Sequence, residues 1–85
     1  MALFVIERNF AEQLDMKPEE VKAIEDLNDQ IGISWLFSFL SADSKRTYCL
    51  YEAKDADQLR KQAEQLGIPA DEIIEVSKFD PSAMH

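Results

Sequence analysis

One short segment, residues 47–53 (TYCLYEA), constrains the fold most, because it has the composition of a β-strand that is apolar on both faces. Its β-branched and aromatic residues favour an extended conformation. Side chains alternate along a strand, which places Tyr48, Leu50 and Glu52 on one face and Cys49, Tyr51 and Ala53 on the other. A strand with two apolar faces is typical of the centre of a sheet covered on both sides. One cover can come from helices of the same chain, and the other has to come from elsewhere.

The rest of the sequence predicts elements in the order β-α-β-β-α-β. Strands are predicted at residues 2–8, 33–40, 47–53 and 71–78, and helices at residues 18–31 and 55–66. Pro18 suits the first turn of a helix, and Asp55 with Gln58 forms a capping-box pattern at the start of the second. Gly32 and Gly67 are typical helix ends. Phe10, Leu14 and Met16, in the loop before the first helix, are expected to lie against the edge of the core.

Right-handed crossovers place both helices on one face of the sheet. We therefore predict an α+β fold, a ferredoxin-like sandwich with a four-stranded antiparallel sheet. A single domain is expected over residues 1–79, with a C-terminal tail at 80–85. On the second strand, Ile33, Trp35, Phe37 and Phe39 are expected on one face, and Ser34, Leu36, Ser38 and Leu40 on the other.

The face of the sheet that the helices leave bare is predicted to be apolar. A patch of that kind would be large for a soluble monomer. We therefore expect a homodimer, in which two sheets pack face to face as an α/β barrel.

Composition limits the partners and the compartment. The 85 residues carry a net charge of -8, which argues against nucleic acid as a partner, because phosphate binding needs a basic surface. The single cysteine excludes an internal disulfide. No signal peptide and no apolar run of membrane-spanning length is apparent, so no membrane association and a cytoplasmic location are expected.

No strong metal-binding or catalytic spacing is present. The only histidine is His85, the last residue, so a Cys/His catalytic pair is nearly excluded unless a partner chain supplies it. Cys49, with Glu52 nearby, is a candidate metal ligand, or else a small buried hydrophobic residue. Glu7 and Glu52 come late on the first and third strands. If these strands run parallel, as we expect, the two carboxylates lie near the same sheet end. Carboxylates that share a face there would suit a general base or a metal site, and otherwise they are solvated charges at the strand ends. If the carboxylates face opposite ways, Arg8 would neighbour Glu52.

Aromatic residues concentrate on the central hairpin, where they could line a cleft for a flat apolar ligand or form the core and the dimer interface. The candidate ligand-binding residues are Glu7, Trp35 and Tyr51, and the candidate metal ligands are Cys49 and Glu52.

Four segments together resemble a small bacterial domain of unknown function whose best-known member is a nickel-responsive, nickel-binding protein. They are VIER at 5–8, WLFSF at 35–39, TYCLYEA at 47–53 and GIPADEIIEV at 67–76. The resemblance implies a ferredoxin-like fold, a dimeric α/β barrel and binding of a transition metal such as nickel. Cys49 and Glu52 are the positions that carry over.

Three functions remain open. We favour a dimeric binding domain, which takes a transition metal or a small ligand at the sheet face, over an enzyme. The first alternative is a cofactor-independent monooxygenase or isomerase of the dimeric α/β barrel type, by analogy of fold alone. The second is a structural or interaction module without a ligand.

Overall fold

A computed structural model of the chain describes residues 1–84 and shows the predicted element order. The strands are β1 (Ala2–Asn9), β2 (Ser34–Leu40), β3 (Arg46–Ala53) and β4 (Glu72–Val76). The helices are α1 (Pro18–Ile31) and α2 (Ala56–Leu66), followed by a short 3₁₀ helix at Pro81–Met84. No helix within residues 1–84 combines the length and apolar character that a bilayer crossing requires.

The four strands form one antiparallel sheet in the order β2-β3-β1-β4, which confirms the ferredoxin-like fold. Both helices lie on the same face of the sheet. Alternate residues of β1 and β3 point toward the helices and form the core with Leu59 of α2. These inward residues are Phe4, Ile6, Cys49, Tyr51 and Ala53. We call the other side of the sheet the open face.

The expected parallel pairing of the first and third strands is wrong, because β1 and β3 run antiparallel. A crossover makes β2 parallel to β1, and the hairpin after β2 then reverses the direction of β3. Glu7 lies opposite Tyr48, whereas Glu52 lies opposite Leu3, four residues away along β1. Both carboxylates are on the open face, but about 13 Å of strand separates them. Arg8 does not neighbour Glu52 either, because Arg8 faces the helices.

The expected alternation along the second strand is also wrong, because β2 contains a bulge at Leu36. Trp35 lies opposite Tyr51 and Phe37 lies opposite Leu50, so one extra residue is inserted between them. A bulge shifts the alternation of the residues that follow it. Trp35 therefore faces the helices, while Phe37 and Phe39 face the opposite side.

The helix ends follow the signals in the sequence. The Asp55 carboxylate accepts a hydrogen bond from the Gln58 backbone N–H at 3.0 Å. The Gln58 side chain accepts one from the Lys54 N–H at 2.8 Å, one residue before the usual partner in a capping box. Gly32 and Gly67 end the helices with φ of 77° and 66°, a conformation that favours glycine.

The C-terminal part contains the 3₁₀ helix, and the boundary between a domain at 1–79 and a tail at 80–85 stays a prediction. His85 lies outside the described residues, and so does its suggested role as a ligand supplied by a partner chain.

Candidate functional site

An apolar cavity of about 140 Å³ lies on the helix side of the sheet, and we call it the Arg8 pocket. The loop between β1 and α1 contributes Phe10, Leu14 and Met16 to its wall, in agreement with their expected position at the core edge. Backbone hydrogen bonds anchor this loop to the β2–β3 turn. The Phe10 N–H donates to the Lys45 carbonyl at 2.8 Å, and the Leu14 N–H donates to the Ser44 carbonyl at 2.7 Å.

The sheet forms the opposite wall of the Arg8 pocket through β2 and β3. The rings of Trp35 and Tyr51 stack with their centroids 6.3 Å apart and their planes 16° from parallel. The Trp35 indole N–H donates to the Ser38 hydroxyl at 2.8 Å, which fixes the ring on the pocket side of the bulge. Thr47 and Cys49 also line this wall, and the Cys49 thiol donates a weak hydrogen bond to the Thr47 hydroxyl. The wall is therefore mostly apolar, with a few polar atoms.

Arg8 lines the same pocket and is only 2% exposed. Its guanidinium donates to the Pro69 carbonyl at 2.7 Å and to the Gln62 side-chain oxygen at 3.1 Å. Both acceptors are neutral. The salt bridges within the described part of the chain are Arg46–Glu7 and Arg60–Asp57, so no described carboxylate lies within 4.0 Å of the Arg8 guanidinium. Arginine stays charged in proteins, so Arg8 is a buried cation without a counter-charge among residues 1–84.

A buried polar network extends from Arg8 between the two helices. Gln62 is fully buried, and its amide nitrogen donates to the Asn28 side-chain oxygen at 2.6 Å and to the Tyr51 hydroxyl at 3.2 Å. The Asn28 side-chain nitrogen is buried and has no hydrogen-bond partner within the described residues. The network therefore retains one unsatisfied donor within the described residues. A buried donor without a partner lowers the stability of the fold.

Tyr51 is a neutral member of this network. Burial raises the pKa of its phenol above the ordinary value, while the hydrogen bond from Gln62 and the charge of Arg8 act in the opposite direction. The hydroxyl therefore stays protonated at neutral pH. It therefore adds no negative charge beside Arg8.

The structure divides the residues that the sequence singled out. Trp35, Cys49 and Tyr51 line the Arg8 pocket, whereas Glu7 and Glu52 lie on the open face. Cys49 and Glu52 point to opposite sides of β3, so one metal ion in a single chain cannot contact both. Residues 1–84 contain no group of three or more histidine, cysteine, aspartate or glutamate side chains arranged to hold a metal.

The sequence interpretation missed Arg8, Asn28 and Gln62 as site residues. The sequence does indicate their burial, because each of these polar residues stands where the spacing of neighbouring apolar residues predicts an inward-facing side chain. Arg8 follows Phe4 and Ile6 at intervals of two. Asn28 follows the buried Ile24 by four residues, and Gln62 follows the buried Leu59 by three. A polar side chain at such a position has to find a partner in the core.

The open face carries a second notable feature, a set of exposed apolar side chains. Phe39 is 66% exposed and Phe37 is 50% exposed, and their rings meet edge to face at 5.4 Å. The other exposed members are Leu36, Tyr48 and Ile74. Charged residues lie toward the ends of this face, with Glu7 paired to Arg46 at 3.6 Å.

Comparisons with known proteins agree on the fold and on a family. A family model described as nickel responsive protein SCO4226-like matches residues 4–76. The structure is similar to the crystal structure of SCO4226 from Streptomyces coelicolor A3(2), with a TM-score of 0.72 and 19% sequence identity. The similarity covers 93% of this chain and 100% of that chain. No curated protein matches the chain significantly.

Proposed function

The chain belongs to the SCO4226-like family of nickel-responsive proteins, and we propose that it is a small-ligand-binding domain that works as a homodimer. The observation that carries ligand binding is the Arg8 pocket. Its lining is almost entirely apolar and includes the aromatic rings of Trp35 and Tyr51. Concave sites lined mainly by hydrophobic and aromatic side chains are typical of small-molecule binding. The proposed site therefore lies on the helix side of the sheet, and the sheet-face location suggested by the sequence is not retained.

Binding fits the pocket better than catalysis does. Its titratable lining residues are Arg8, Cys49 and Tyr51, and neither a carboxylate nor an imidazole of the described residues lines it. A general base for a monooxygenase or isomerase would have to come from elsewhere. The cavity volume suits a compact ligand, since an engineered apolar cavity of about 150 Å³ binds benzene.

The test is titration with benzyl alcohol, followed by the fluorescence of Trp35, the single tryptophan of the chain. Binding at millimolar concentration or below is expected, corresponding to about 4 kcal/mol. Ser38→Leu narrows the pocket and should weaken binding about tenfold. Ser34→Leu, on the same strand but exposed on the other side, should bind like the wild type. Absence of binding, or equal effects of the two variants, would reject the pocket as a ligand site.

The homodimer proposal is supported by the open face. Exposed Phe37 and Phe39 on the edge strand β2, together with Tyr48 on β3 and Ile74 on β4, give this face an apolar patch with charged residues toward the strand ends, as in many protein interfaces. The same patch on a second copy is self-complementary across a two-fold axis. Packing two open faces would bury these rings and leave both Arg8 pockets outside the interface, on the helix sides. Ligand binding and dimerisation are thus proposed as separable properties.

Transition-metal binding is a second candidate, favoured by membership of a nickel-responsive family. Glu7 and Glu72 lie opposite each other on neighbouring strands of the open face. One chain offers too few ligands within its described residues, so the proposed metal binds between two copies, with carboxylates from each. Calorimetric titration with nickel, copper, zinc and cobalt tests this. Micromolar binding that is lost in Glu7→Gln but kept in Glu64→Gln would support it, and equal binding by the two variants would contradict it.

A further inference from the structure

We propose that the ligand of the Arg8 pocket is an uncharged, apolar molecule about the size of a single six-membered ring, which binds without hydrogen bonds to the protein. This inference rests on the proposed function of the pocket as a ligand site. It names the chemical class of ligand, which the fold and the family leave undefined.

The first step of the argument concerns the polar side chains of β2 and β3 that line the pocket, because they hydrogen-bond to each other. The Trp35 indole N–H donates to the Ser38 hydroxyl at 2.8 Å. The Cys49 thiol donates to the Thr47 hydroxyl at 3.6 Å. These four side chains therefore have partners within the protein before any ligand arrives.

The buried network engages the other two polar side chains of the lining. The Arg8 guanidinium donates to the Pro69 carbonyl and to the Gln62 side-chain oxygen, and the Tyr51 hydroxyl accepts from the Gln62 amide nitrogen. Within residues 1–84, the only buried side-chain nitrogen or oxygen without a partner belongs to Asn28, which is not part of this lining. The surface that the cavity offers to a ligand is therefore almost wholly apolar.

The second step is the free-energy cost of polarity in such a cavity. A ligand hydroxyl or amide would lose its hydrogen bonds to water, and it could regain one only by breaking a pair that the protein has already formed. A charged group would lose still more. Apolar atoms have no such cost and gain free energy when they leave water. The pocket should therefore favour hydrocarbon-like ligands and discriminate against polar ones.

The third step is the size and shape of the cavity. Its volume of about 140 Å³ is close to that of an apolar cavity that holds benzene. Trp35 and Tyr51 supply a flat, stacked aromatic wall, and Leu14 and Met16 contribute apolar side chains from the loop. This space excludes large lipids and nucleotides and accepts one ring with a short substituent.

The experiment measures the affinity of the full chain for ethylbenzene, benzyl alcohol and benzoate at pH 7 through Trp35 fluorescence. Ethylbenzene and benzyl alcohol form a matched pair, because they differ only in a methyl group that replaces a hydroxyl, and benzoate adds a charge. Ethylbenzene is expected to bind at least about tenfold more tightly than benzyl alcohol, and benzoate is expected to bind most weakly.

The outcomes separate this inference from the proposed function. If benzyl alcohol binds and ethylbenzene binds no more tightly, the apolar inference is overturned while the ligand site stands. Tighter binding of benzoate than of either neutral probe would overturn it in the same way. If none of the three binds, both the inference and the proposed function fail.

Ser38→Leu locates the preferred probe, because an apolar molecule could instead bind at the exposed rings of the open face. This variant narrows the Arg8 pocket and should weaken the binding of ethylbenzene as well as that of benzyl alcohol. Ethylbenzene affinity that is unchanged in Ser38→Leu would place the probe outside the pocket and contradict the inference.

Ser38→Ala tests whether the internal pairing of the lining causes the preference. It removes the acceptor of the Trp35 indole N–H and leaves this donor free beside the cavity, which both residues line. A ligand hydroxyl can accept from it and a methyl group cannot, so the preference for ethylbenzene should fall from about tenfold to about twofold or less. The matched control is Ser34→Ala, at an exposed position on the other side of the same strand, which should keep the wild-type preference. A preference that is unchanged in Ser38→Ala, or that disappears in Ser34→Ala, would contradict this explanation.

Discussion

At the level of single residues, Gln62 has the most side-chain partners in the core: it accepts from Arg8 and donates to Asn28 and Tyr51. Each of these partners is itself buried, so none can turn to water if Gln62 is lost. The Gln62 amide therefore links Arg8, Asn28 and Tyr51 into one buried polar network.

Gln62→Leu is expected to lower the free energy of unfolding by about 3 kcal/mol, since it leaves several buried polar groups without partners. Gln65→Leu makes the same change at an exposed position of the same helix and should change stability by less than about 0.5 kcal/mol. Urea unfolding followed by circular dichroism measures both. Similar losses in the two variants would show that the network contributes nothing specific.

The raised pKa of Tyr51 predicts a pH dependence of stability. Below the ordinary phenol pKa both states are protonated and Tyr51 has no effect. Above it the unfolded chain loses this proton while the folded chain keeps it, so stability falls as pH rises. The slope from this one proton is about 1.4 kcal/mol per pH unit, until the folded pKa is reached.

Tyr51→Phe should remove that part of the slope and leave the rest of the pH profile unchanged. Urea unfolding from pH 8 to pH 11 checks it. Identical pH profiles for wild type and variant would contradict a protonated, buried phenol.

Alternation along a strand was enough to predict that Cys49 and Tyr51 share a face, which the structure confirms. It was not enough to identify Arg8 as a pocket residue. Arg8 ends the predicted strand, where a charged residue is ordinarily solvated, and its burial depends on Pro69 and Gln62, which are far away in the sequence. Because these partners are distant in the sequence, the only local indication that Arg8 is buried is that it continues the alternation of Phe4 and Ile6.

At the level of elements, the start of α2 depends on the Asp55 cap. Asp55→Ala removes the acceptor of the Gln58 N–H and should lower the free energy of unfolding by about 1 kcal/mol. Asp57→Ala removes an exposed ion pair with Arg60 in the first turn of the same helix and should cost less than about 0.5 kcal/mol. Thermal unfolding of the two variants compares them, and a larger loss in Asp57→Ala would contradict the capping assignment.

Helix bounds were the most predictable elements, because proline, glycine and the capping residues act locally. The bulge at Leu36 was not predictable in this way. Nothing in WLFSF departs from alternation, and the bulge is visible only in the register against β3, where Trp35 and Phe37 lie opposite the consecutive residues Tyr51 and Leu50. The antiparallel relation of β1 and β3, by contrast, follows from the chain path, because the crossover makes β2 parallel to β1 and the hairpin then reverses β3.

At the level of the whole molecule, the open face predicts self-association. Phe39→Glu places a charge at the most exposed ring of the patch and should convert the proposed dimer to a monomer near 9.8 kDa. Sedimentation equilibrium at micromolar concentration measures the mass. Gln65→Glu, which adds the same charge on the outer surface of α2, should stay dimeric.

A wild-type monomer in that experiment would reject the dimer and leave the Arg8 pocket unaffected, because the pocket is on the opposite side of the sheet. The apolar character of the open face was predictable from the sequence. Several strands are apolar on both faces, and the helices cover only one of these faces. It could not place the ligand cavity, which forms only where the β1–α1 loop folds back over β2 and β3.

The most direct measurement is a two-dimensional ¹H–¹⁵N NMR spectrum with and without benzyl alcohol. If ligands bind on the helix side of the sheet beside Arg8, the largest shifts will be at the Trp35 indole N–H and the backbone amides of Ser38 and Cys49. Glu52, at the far end of the open face, should be nearly unchanged. Shifts concentrated at Glu52 and Phe37, or no shifts at all, would contradict the account.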